Sequence, residues 1–248
     1  MNIEQLKNTV IQGDCLEVMK DIPDKSIDMI LCDLPYGTTA CKWDTIIPFE
    51  PLWEQYKRII KPNGAIVLTA SQPFTSALVM SNIKMFKYEW IWEKSNASGF
   101  FMAKKMPMKA HENICVFYSE SPVYNYQKST GHIPSSDAKK RVTSKVGDTV
   151  YGEIKRSEYI GGDTTRYPRS VLQLASDKKT GGKLHPTQKP VALFEYLIKT
   201  YTNEGDLVLD NAAGSGTTGI AARNLNRNYI LIEKELEYID IINKRLNN

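Results

Sequence analysis

A strand, a glycine-rich turn and a helix near the end of the chain constrain its fold more than any other stretch. The apolar run 207–209 ends in Asp210, and Asn-Ala-Ala-Gly-Ser-Gly-Thr-Thr-Gly leads from there into a helix-forming Ile-Ala-Ala-Arg run. Glycines let the backbone turn tightly and let a ligand approach the main chain. In open α/β sheets such turns lie at the carboxyl ends of strands, where ligands bind. The turn therefore predicts a cofactor site.

An acidic residue follows the turn where a ribose would be bound. The apolar run 229–232 ends in Glu233, and dinucleotide-binding folds hold the ribose hydroxyls with an acid about 20 residues beyond the turn. The turn is not a phosphate-binding P-loop, because no Gly-Lys-Ser/Thr follows it. An ordinary strand–helix turn without a ligand is still an alternative at this point.

Length and composition limit the class of protein. A chain of 248 residues, 42% hydrophobic and 24% charged, fits one large α/β domain with room for an inserted module. No run of about 18 apolar residues occurs, and the start Met-Asn-Ile-Glu lacks the layout of a signal peptide. Four scattered cysteines without a CxxC or Cys/His cluster indicate free thiols and no metal site. We therefore expect a cytoplasmic protein without a membrane partner.

Positive charge is concentrated in residues 121–183. This segment has 12 Lys or Arg against 6 Asp or Glu, with tyrosines interleaved, and its hydrophobic periodicity fades. Such a segment can be a polyanion-binding module or an ordinary solvated surface. A second basic stretch, the predicted loop 94–109, combines Phe100 and Phe101 with four lysines. It can be solvated or can form a mobile cover over a bound polyanion.

A second motif, Asp33-Leu34-Pro35-Tyr36, directly follows the apolar run 27–32. A carboxylate and a neighbouring backbone carbonyl offer two acceptors, which suit the two hydrogens of an exocyclic amino group. The tyrosine ring can stack on a base, a contact worth about 1–3 kcal/mol. A base in a duplex reaches such a pocket only when it is flipped out. Taken alone, Asp33 could also simply cap a turn.

Together the motifs resemble the S-adenosylmethionine-dependent amino-methyltransferases of DNA, whose hallmark is [Asp/Asn/Ser]-Pro-Pro-[Tyr/Phe/Trp]. The order resembles the circularly permuted beta group, in which the catalytic motif precedes the cofactor turn. The matching pieces stand in the family's order: Gly13-Asp14, the Asp33 motif, Lys-Pro-Asn-Gly at 61–64, His-Pro-Thr-Gln-Lys-Pro at 185–190 and the turn at 210–218.

The resemblance implies a doubly wound, Rossmann-like α/β sheet with an inserted target-recognition segment. Residues 1–120 would form the catalytic half of the methyltransferase domain, 121–183 the target-recognition insertion and 184–248 the cofactor-binding half. The implied partner is double-stranded DNA, and relatives of this class often pair, which allows a homodimer. Enzymes of this class also belong to restriction-modification systems, although the sequence does not show a companion nuclease.

The resemblance also implies residue roles. The target amino group would be bound by Asp33 and the Leu34 carbonyl, in a motif completed by Pro35 and by Tyr36, which would stack on the base. The cofactor S-adenosylmethionine would be held by residues from both ends of the chain: Asp14, His185, Thr187, Lys189, Asp210, Ala212, Gly214, Gly216, Thr217, Thr218 and Glu233. Asp14 and His185 could equally have structural roles at helix starts.

The chain departs from the family pattern at two places. Leu34 stands where a proline is usual, and Asn211-Ala212 stands where Pro-Phe or a similar pair is usual. In this family the Asp form of the motif goes mostly with adenine N6 and the Ser form with cytosine N4. We therefore predict N6-adenine methylation, with cytosine N4 or an RNA adenine as alternatives. A nicotinamide-dependent oxidoreductase and a DNA binder with an inactive pocket are rivals from other classes.

Hydrophobic periodicity predicts strands alternating with helices, and hence a sheet rich in parallel strands with helices on both faces. One strand is expected at 65–69, after a helix that the Lys-Pro-Asn-Gly sequence ends. Trp90 and Trp92 lie on a predicted strand at 88–92 and are expected in the core.

Overall fold

A computed structural model describes residues 2–39, 41, 44–134, 140–142, 148–149, 152–153, 158–160, 162–175 and 188–247. The chain divides into two compact units. The first comprises Met1–Asn125 with Ser170–Asn248, and the second is Tyr126–Arg169. No helix in the described ranges is long and apolar enough to cross a membrane.

An eight-stranded sheet forms the centre of the first unit. Its strand order is β1-β12-β11-β2-β3-β5-β4-β10. All neighbours are parallel except β5, which is antiparallel to both β3 and β4. The strands are β1 (Thr9–Gln12), β2 (Ile27–Asp33), β3 (Ile60–Ala70), β4 (Phe86–Ser98), β5 (Lys109–Phe117), β10 (Val171–Gln173), β11 (Leu207–Asp210) and β12 (Asn228–Glu233).

Helices cover both faces of this sheet. Along β12, Ile230 and Ile232 join one hydrophobic cluster, whereas Tyr229 and Leu231 join the other, because successive side chains of a strand point to opposite faces. The first cluster takes side chains from α2, α3 and α4, and the second from α5, α6 and α7. The predicted doubly wound α/β fold is therefore confirmed. The helices are α1 (Ile3–Leu6), α2 (Cys15–Lys20), α3 (Phe49–Ile59), α4 (Phe74–Ser81), α5 (Val191–Tyr201), α6 (Thr217–Asn224) and α7 (Leu236–Leu246).

Two predicted boundaries are wrong. β3 begins at Ile60 rather than at residue 65. Ile60 pairs with Ile27 of β2, and the pairing resumes at Ala65 with Met29 after a register shift. The predicted loop 94–109 is mostly strand, since β4 extends to Ser98 and β5 begins at Lys109. Only residues 99–108 connect them. The ends of both strands are polar, so hydrophobic periodicity did not predict this part of the hairpin.

The two tryptophans of β4 lie in the core, as predicted. Trp90 and Trp92 are both buried. The Trp90 indole donates to the Tyr201 hydroxyl at 2.7 Å, and the Trp92 indole donates to the Leu174 carbonyl at 2.9 Å. Buried indole N–H groups normally require such partners.

The second unit lies within the predicted recognition segment 121–183, and that assignment stays a prediction. Its described strands form two short antiparallel pairs, β6 (Lys140–Val142) with β9 (Glu158–Ile160) and β7 (Asp148–Thr149) with β8 (Gly152–Glu153). An isolated bridge joins Ser129 to Arg166. The Arg166 guanidinium donates to three backbone carbonyls, those of Asp163, Thr165 and Ile133.

Gly216 at the start of α6 is a sensitive packing position. Its φ is 79°, and a Cβ there would lie 3.0 Å from the buried Ile242 side chain, whereas Gly205 has φ 84° with open space. Both alanine variants would adopt a left-handed conformation, at about 1–2 kcal/mol. We expect Gly205→Ala to lower the free energy of unfolding by about 1 kcal/mol and Gly216→Ala by about 2–3 kcal/mol. Urea unfolding measures both, and equal losses would contradict the packing argument.

Candidate active site

A cavity of about 710 Å³ opens where several parallel strands end. β2 ends at Asp33, β11 at Asp210 and β12 at Glu233, and all three residues line the cavity. Its volume lies in the usual range for small-molecule sites, roughly 300–1,000 Å³. The cavity therefore brings the Asp33 motif and the glycine turn into one site, although about 180 residues separate them in the chain.

The Asp33 carboxylate is held by three side chains. The Tyr36 hydroxyl donates to Oδ1 at 2.7 Å, and the Thr69 hydroxyl donates to the same oxygen. The Lys189 ammonium lies 2.7 Å from both Oδ1 and Oδ2. Oδ1 is thus crowded with donors, while Oδ2 has Lys189 alone among the described side chains. A carboxylate oxygen with so few donors keeps a lone pair for a ligand.

Lys189 belongs to a chain of alternating charges. Its ammonium also lies 3.1 Å from Glu112 Oε2, and Lys94 lies 2.5 Å from Glu112 Oε1. Burial acts to lower the pKa of Lys189, but Asp33 and then Glu112 raise it, so its pKa lies above the ordinary value. The two lysines and two acids balance one another. Lys189 thus stays charged although its side chain is only 5% exposed.

Tyr36 is built into the pocket wall. Its ring stacks on Phe74 with centroids 5.1 Å apart, and the Lys189 ammonium lies 5.5 Å from its centroid. Burial, followed by the negative charges of Asp33 and Glu112, raises the pKa of the Tyr36 phenol well above its ordinary range. The phenol therefore remains protonated and acts as a hydrogen-bond donor.

Glu233 fastens the glycine turn to the last loop. Its Oε2 accepts from the Gly214 amide at 2.7 Å, and its Oε1 accepts from the Lys234 and Glu235 amides at 2.8 and 2.9 Å. Burial raises the pKa of Glu233, while these hydrogen bonds oppose the shift. Two carboxylate oxygens offer about four acceptor sites, so an acceptor site is left for a ligand hydroxyl.

Asp210 organises the turn from inside. Its carboxylate accepts from the Ala212 amide at 3.1 Å and from the Thr218 hydroxyl. Burial raises the pKa of Asp210 to about 6, although hydrogen bonds from Thr218 and Ala212 oppose it. Asp210 is therefore a structural support of the turn as well as part of the cavity wall.

The structure separates the predicted cofactor residues into groups. Gly216 and Thr218 do not line the cavity and instead support α6 and Asp210. The Lys189 ammonium contacts Asp33, while the Lys189 backbone carbonyl accepts from the Thr217 hydroxyl of the glycine turn at 3.5 Å. His185 and Thr187 lie outside the described residues. The predicted residues that line the cavity are Asp14, Asp33, Leu34, Pro35, Tyr36, Lys189, Asp210, Ala212, Gly214, Thr217 and Glu233.

Asp14 does two things at once. It lines the cavity, and its Oδ1 accepts from the Leu16 amide at 3.0 Å as the N-cap of α2. The capping role and the ligand-lining role, which the sequence left open, are therefore compatible. In the described residues no group of three or more His, Cys, Asp or Glu side chains could hold a metal ion.

Comparison with known proteins decides the family. A family model described as DNA methylase, N6_N4_Mtase, matches residues 27–244. The chain belongs to this DNA methylase family. The match confirms the predicted kinship with the S-adenosylmethionine-dependent DNA amino-methyltransferases.

Individual relatives agree with this assignment. This methylase is 31% identical to the type II methyltransferase M.HinfI of Haemophilus influenzae, over 99% of this chain and 70% of that protein. The M1.HpyAVI–SAM complex is similar with a TM-score of 0.65 and 26% identity, over 97% of this chain and 99% of that one. The cytosine-N4-specific PvuII DNA methyltransferase shares the fold, with a TM-score of 0.69 and 17% identity, over 96% and 86%. The fold by itself does not choose between the two bases.

The methylase accommodates its two departures from the family pattern locally. Leu34 is buried in the hydrophobic cluster beneath the motif. Asn211 is also buried, and its Oδ1 accepts from the buried Tyr56 hydroxyl at 2.6 Å. Both residues thus anchor their loops to the core.

Three supporting residues were missed by sequence reasoning. Asp44 accepts from the backbone amides of Gly37, Thr38 and Thr39 at 2.7–2.9 Å, so it folds the loop after the motif. Thr69 pairs with Asp33 in the β2–β3 register, which the predicted strand 65–69 could have suggested. Glu112 comes from antiparallel β5, whose register no sequence signal indicated.

Lys189→Met tests the buried charges. The change leaves Asp33 and Glu112 without their shared cation, and breaking a buried pair costs about 3–5 kcal/mol. We expect a loss of about 3 kcal/mol in the free energy of unfolding at neutral pH, measured by urea unfolding. Lys20→Met, whose partner Glu17 is exposed, is the control. A loss no greater than the control's would contradict the role of the pair.

Asp210 predicts a pH dependence of stability. Its pKa is about 6 in the folded protein and about 3.9 in an unfolded chain, so the folded state holds the proton longer. The contribution of Asp210 to stability therefore falls as pH rises from about 4 to about 6, by about 2–3 kcal/mol. Asp210→Asn removes this slope. Urea unfolding of both proteins across that range measures it, and parallel curves would argue against the raised pKa.

Proposed function

We propose that this DNA methylase transfers a methyl group from S-adenosylmethionine to N6 of an adenine flipped out of double-stranded DNA. The single observation that carries the proposal is the position of Asp33. Its carboxylate, with Oδ2 short of donors, faces the same cavity as the glycine turn and Glu233. An acceptor for an amino group and a wall suited to a nucleoside cofactor thus share one space.

The cofactor side of the cavity fits S-adenosylmethionine. The free acceptor capacity of Glu233 suits a ribose hydroxyl, and the Gly214 turn lets the main chain approach the methionine part. Asp14 and Lys234 continue this wall. Bound there, the cofactor would supply a methyl group carried on a positively charged sulfur, which would leave as a neutral thioether when the methyl group is transferred.

On the target side, Asp33 Oδ2 and the Leu34 carbonyl accept the two amino hydrogens. These bonds hold the lone pair of the nitrogen toward the methyl group. Thr69 and Tyr36 fix the carboxylate through Oδ1, so its direction is set before the base arrives. Lys189 balances its charge. The methylated nitrogen must lose one proton, and Asp33 is the hydrogen-bonded carboxylate best positioned to receive it.

Tyr36 has a second role besides stacking, and only part of its ring is open to a base. One face of its ring already packs on Phe74, so a base would stack only on the remaining surface. We propose that Tyr36 contacts the target base and also orients Asp33. The Asp form of the motif favours adenine, and cytosine N4 is the alternative with the same chemistry.

The first experiment identifies both the methylated product and the catalytic carboxylate. Unmethylated genomic DNA is incubated with the protein and S-adenosylmethionine, digested to nucleosides and examined by mass spectrometry. We expect N6-methyladenine from the native protein, and at least a hundredfold less from Asp33→Ala. N4-methylcytosine would overturn the base assignment, and methylated RNA alone would overturn the DNA substrate.

Two further variants separate chemistry from folding. Asp33→Ala/Lys189→Met removes both members of the ion pair and leaves no unpaired buried cation, yet it should stay inactive while binding S-adenosylmethionine in calorimetry. Asp24→Ala is the matched control, because Asp24 is an exposed acid outside the cavity. Unchanged methylation by the Asp33 variants would refute Asp33 as the catalytic carboxylate that accepts the amino proton.

A further inference from the structure

The tip of the β4–β5 hairpin, residues 99–108, carries an unusual exposed surface. Phe101 is 99% exposed and Phe100 75%, and three methionines are also exposed: Met102, Met106 and Met108. These make five of the large hydrophobic side chains exposed in the described ranges, within nine residues of sequence. A concentrated apolar surface of this kind marks an interaction site rather than an ordinary surface.

The tip is held in shape although its side chains face solvent. Gly99 has φ 87° and starts a 3₁₀ turn over Phe100–Met102. The Met102 amide donates to the Gly99 carbonyl at 2.9 Å, and the Lys105 amide donates to the Met102 carbonyl at 2.8 Å. The aromatic pair is therefore presented by a folded turn, which reduces the entropy lost on binding.

The tip is also cationic. Lys104 and Lys105 lie in it, Lys109 follows it at the start of β5, and residues 94–111 contain no acid. A cluster of cations around aromatic and methionine side chains complements a polyanion with an apolar interior. Duplex DNA has that composition, with phosphates outside and stacked bases inside, and DNA-bending proteins insert Phe or Met between its bases.

The base of the hairpin belongs to the catalytic cavity. Ser98 and Lys109 pair across the two strands and both line the cavity with Asp33, and the Lys109 ammonium contacts the Ser71 hydroxyl. Burial lowers the pKa of Lys109. Because the tip stands directly on the rim of the site, a duplex whose base enters the cavity passes beside it.

We propose that residues 99–108 form a DNA-inserting finger, in which Phe101 fills the space that the flipped base leaves in the duplex while Lys104 and Lys105 bind the flanking phosphates. The inference rests on the proposed function and deepens it by assigning the element that keeps the target base out of the stack. Unstacking and unpairing a base is costly, and an aromatic ring in the gap restores part of the lost stacking.

The test compares a paired target with a weakened one. The recognition site is first mapped by sequencing methylated DNA. Full-length protein then methylates one duplex that contains this site fully paired, and a second duplex in which an abasic position lies opposite the target base. We expect Phe101→Ala to lower the single-turnover methylation rate of the paired duplex roughly tenfold or more. The same change should lower the rate on the abasic duplex less than about threefold. Met80→Ala is the control, since Met80 is 70% exposed outside the finger.

Further measurements on two variants make the result specific. Phe101→Ala should bind S-adenosylmethionine and unfold thermally as the native protein does, while fluorescence of 2-aminopurine at the target position should rise less. Lys104→Ala/Lys105→Ala should lower the salt dependence of DNA binding by a slope of about 2. If the loop were purely solvated, neither the 2-aminopurine fluorescence nor the salt dependence of DNA binding would change.

The outcomes separate the two proposals. Equal slowing of the paired and abasic duplexes, or no slowing, would overturn the finger while the methyltransferase function stands. A Phe101→Ala change in oligomeric state by sedimentation, with methylation intact, would assign the tip to a second copy instead and also overturn it. A native protein that methylates neither duplex nor any other DNA would refute the proposed function itself.

Discussion

The contact between Asp33 and Lys189 is the interaction on which the site depends. It joins the carboxyl end of β2 to the segment just before α5, across 156 residues of sequence. A buried charge is tolerated when it is paired and hydrogen-bonded, and Asp33 and Glu112 together pair the buried Lys189 ammonium. Glu112 and Lys94 extend the pair into a neutral row of four charges. The hydrogen bonds from Lys189, Tyr36 and Thr69 thereby fix the orientation of the Asp33 carboxylate at the edge of the cavity.

The same principle governs the opposite wall of the cavity. Glu233 gathers three backbone amides and Asp210 gathers an amide and a hydroxyl, so each acid stabilises a loop and also contributes to the ligand surface. Asp44 does the same for the loop after the catalytic motif. In this protein, carboxylates that accept hydrogen bonds from main-chain amides fix the loops around the cavity.

The hairpin between β4 and β5 reaches from the cavity rim to an exposed apolar tip. Its strands contribute Lys94, Glu112 and Lys109 to the charged row and the cavity rim, while its tip presents an aromatic pair to solvent. One antiparallel element thus contributes to the cavity at one end and presents an exposed apolar surface at the other. This arrangement explains why the strand needs polar residues where a buried strand would have apolar ones.

The sequence by itself determined the elements whose signals are local. The turn after β11, the acid ending β12, the motif ending β2 and the core position of Trp90 follow from strand periodicity and from turn chemistry. Only the tertiary structure decided that the Lys189 ammonium pairs with Asp33, that Glu112 completes the charged row, and that Thr218 supports Asp210. These contacts join strands and loops distant in sequence, and their register depends on packing across the whole sheet, which no local pattern encodes.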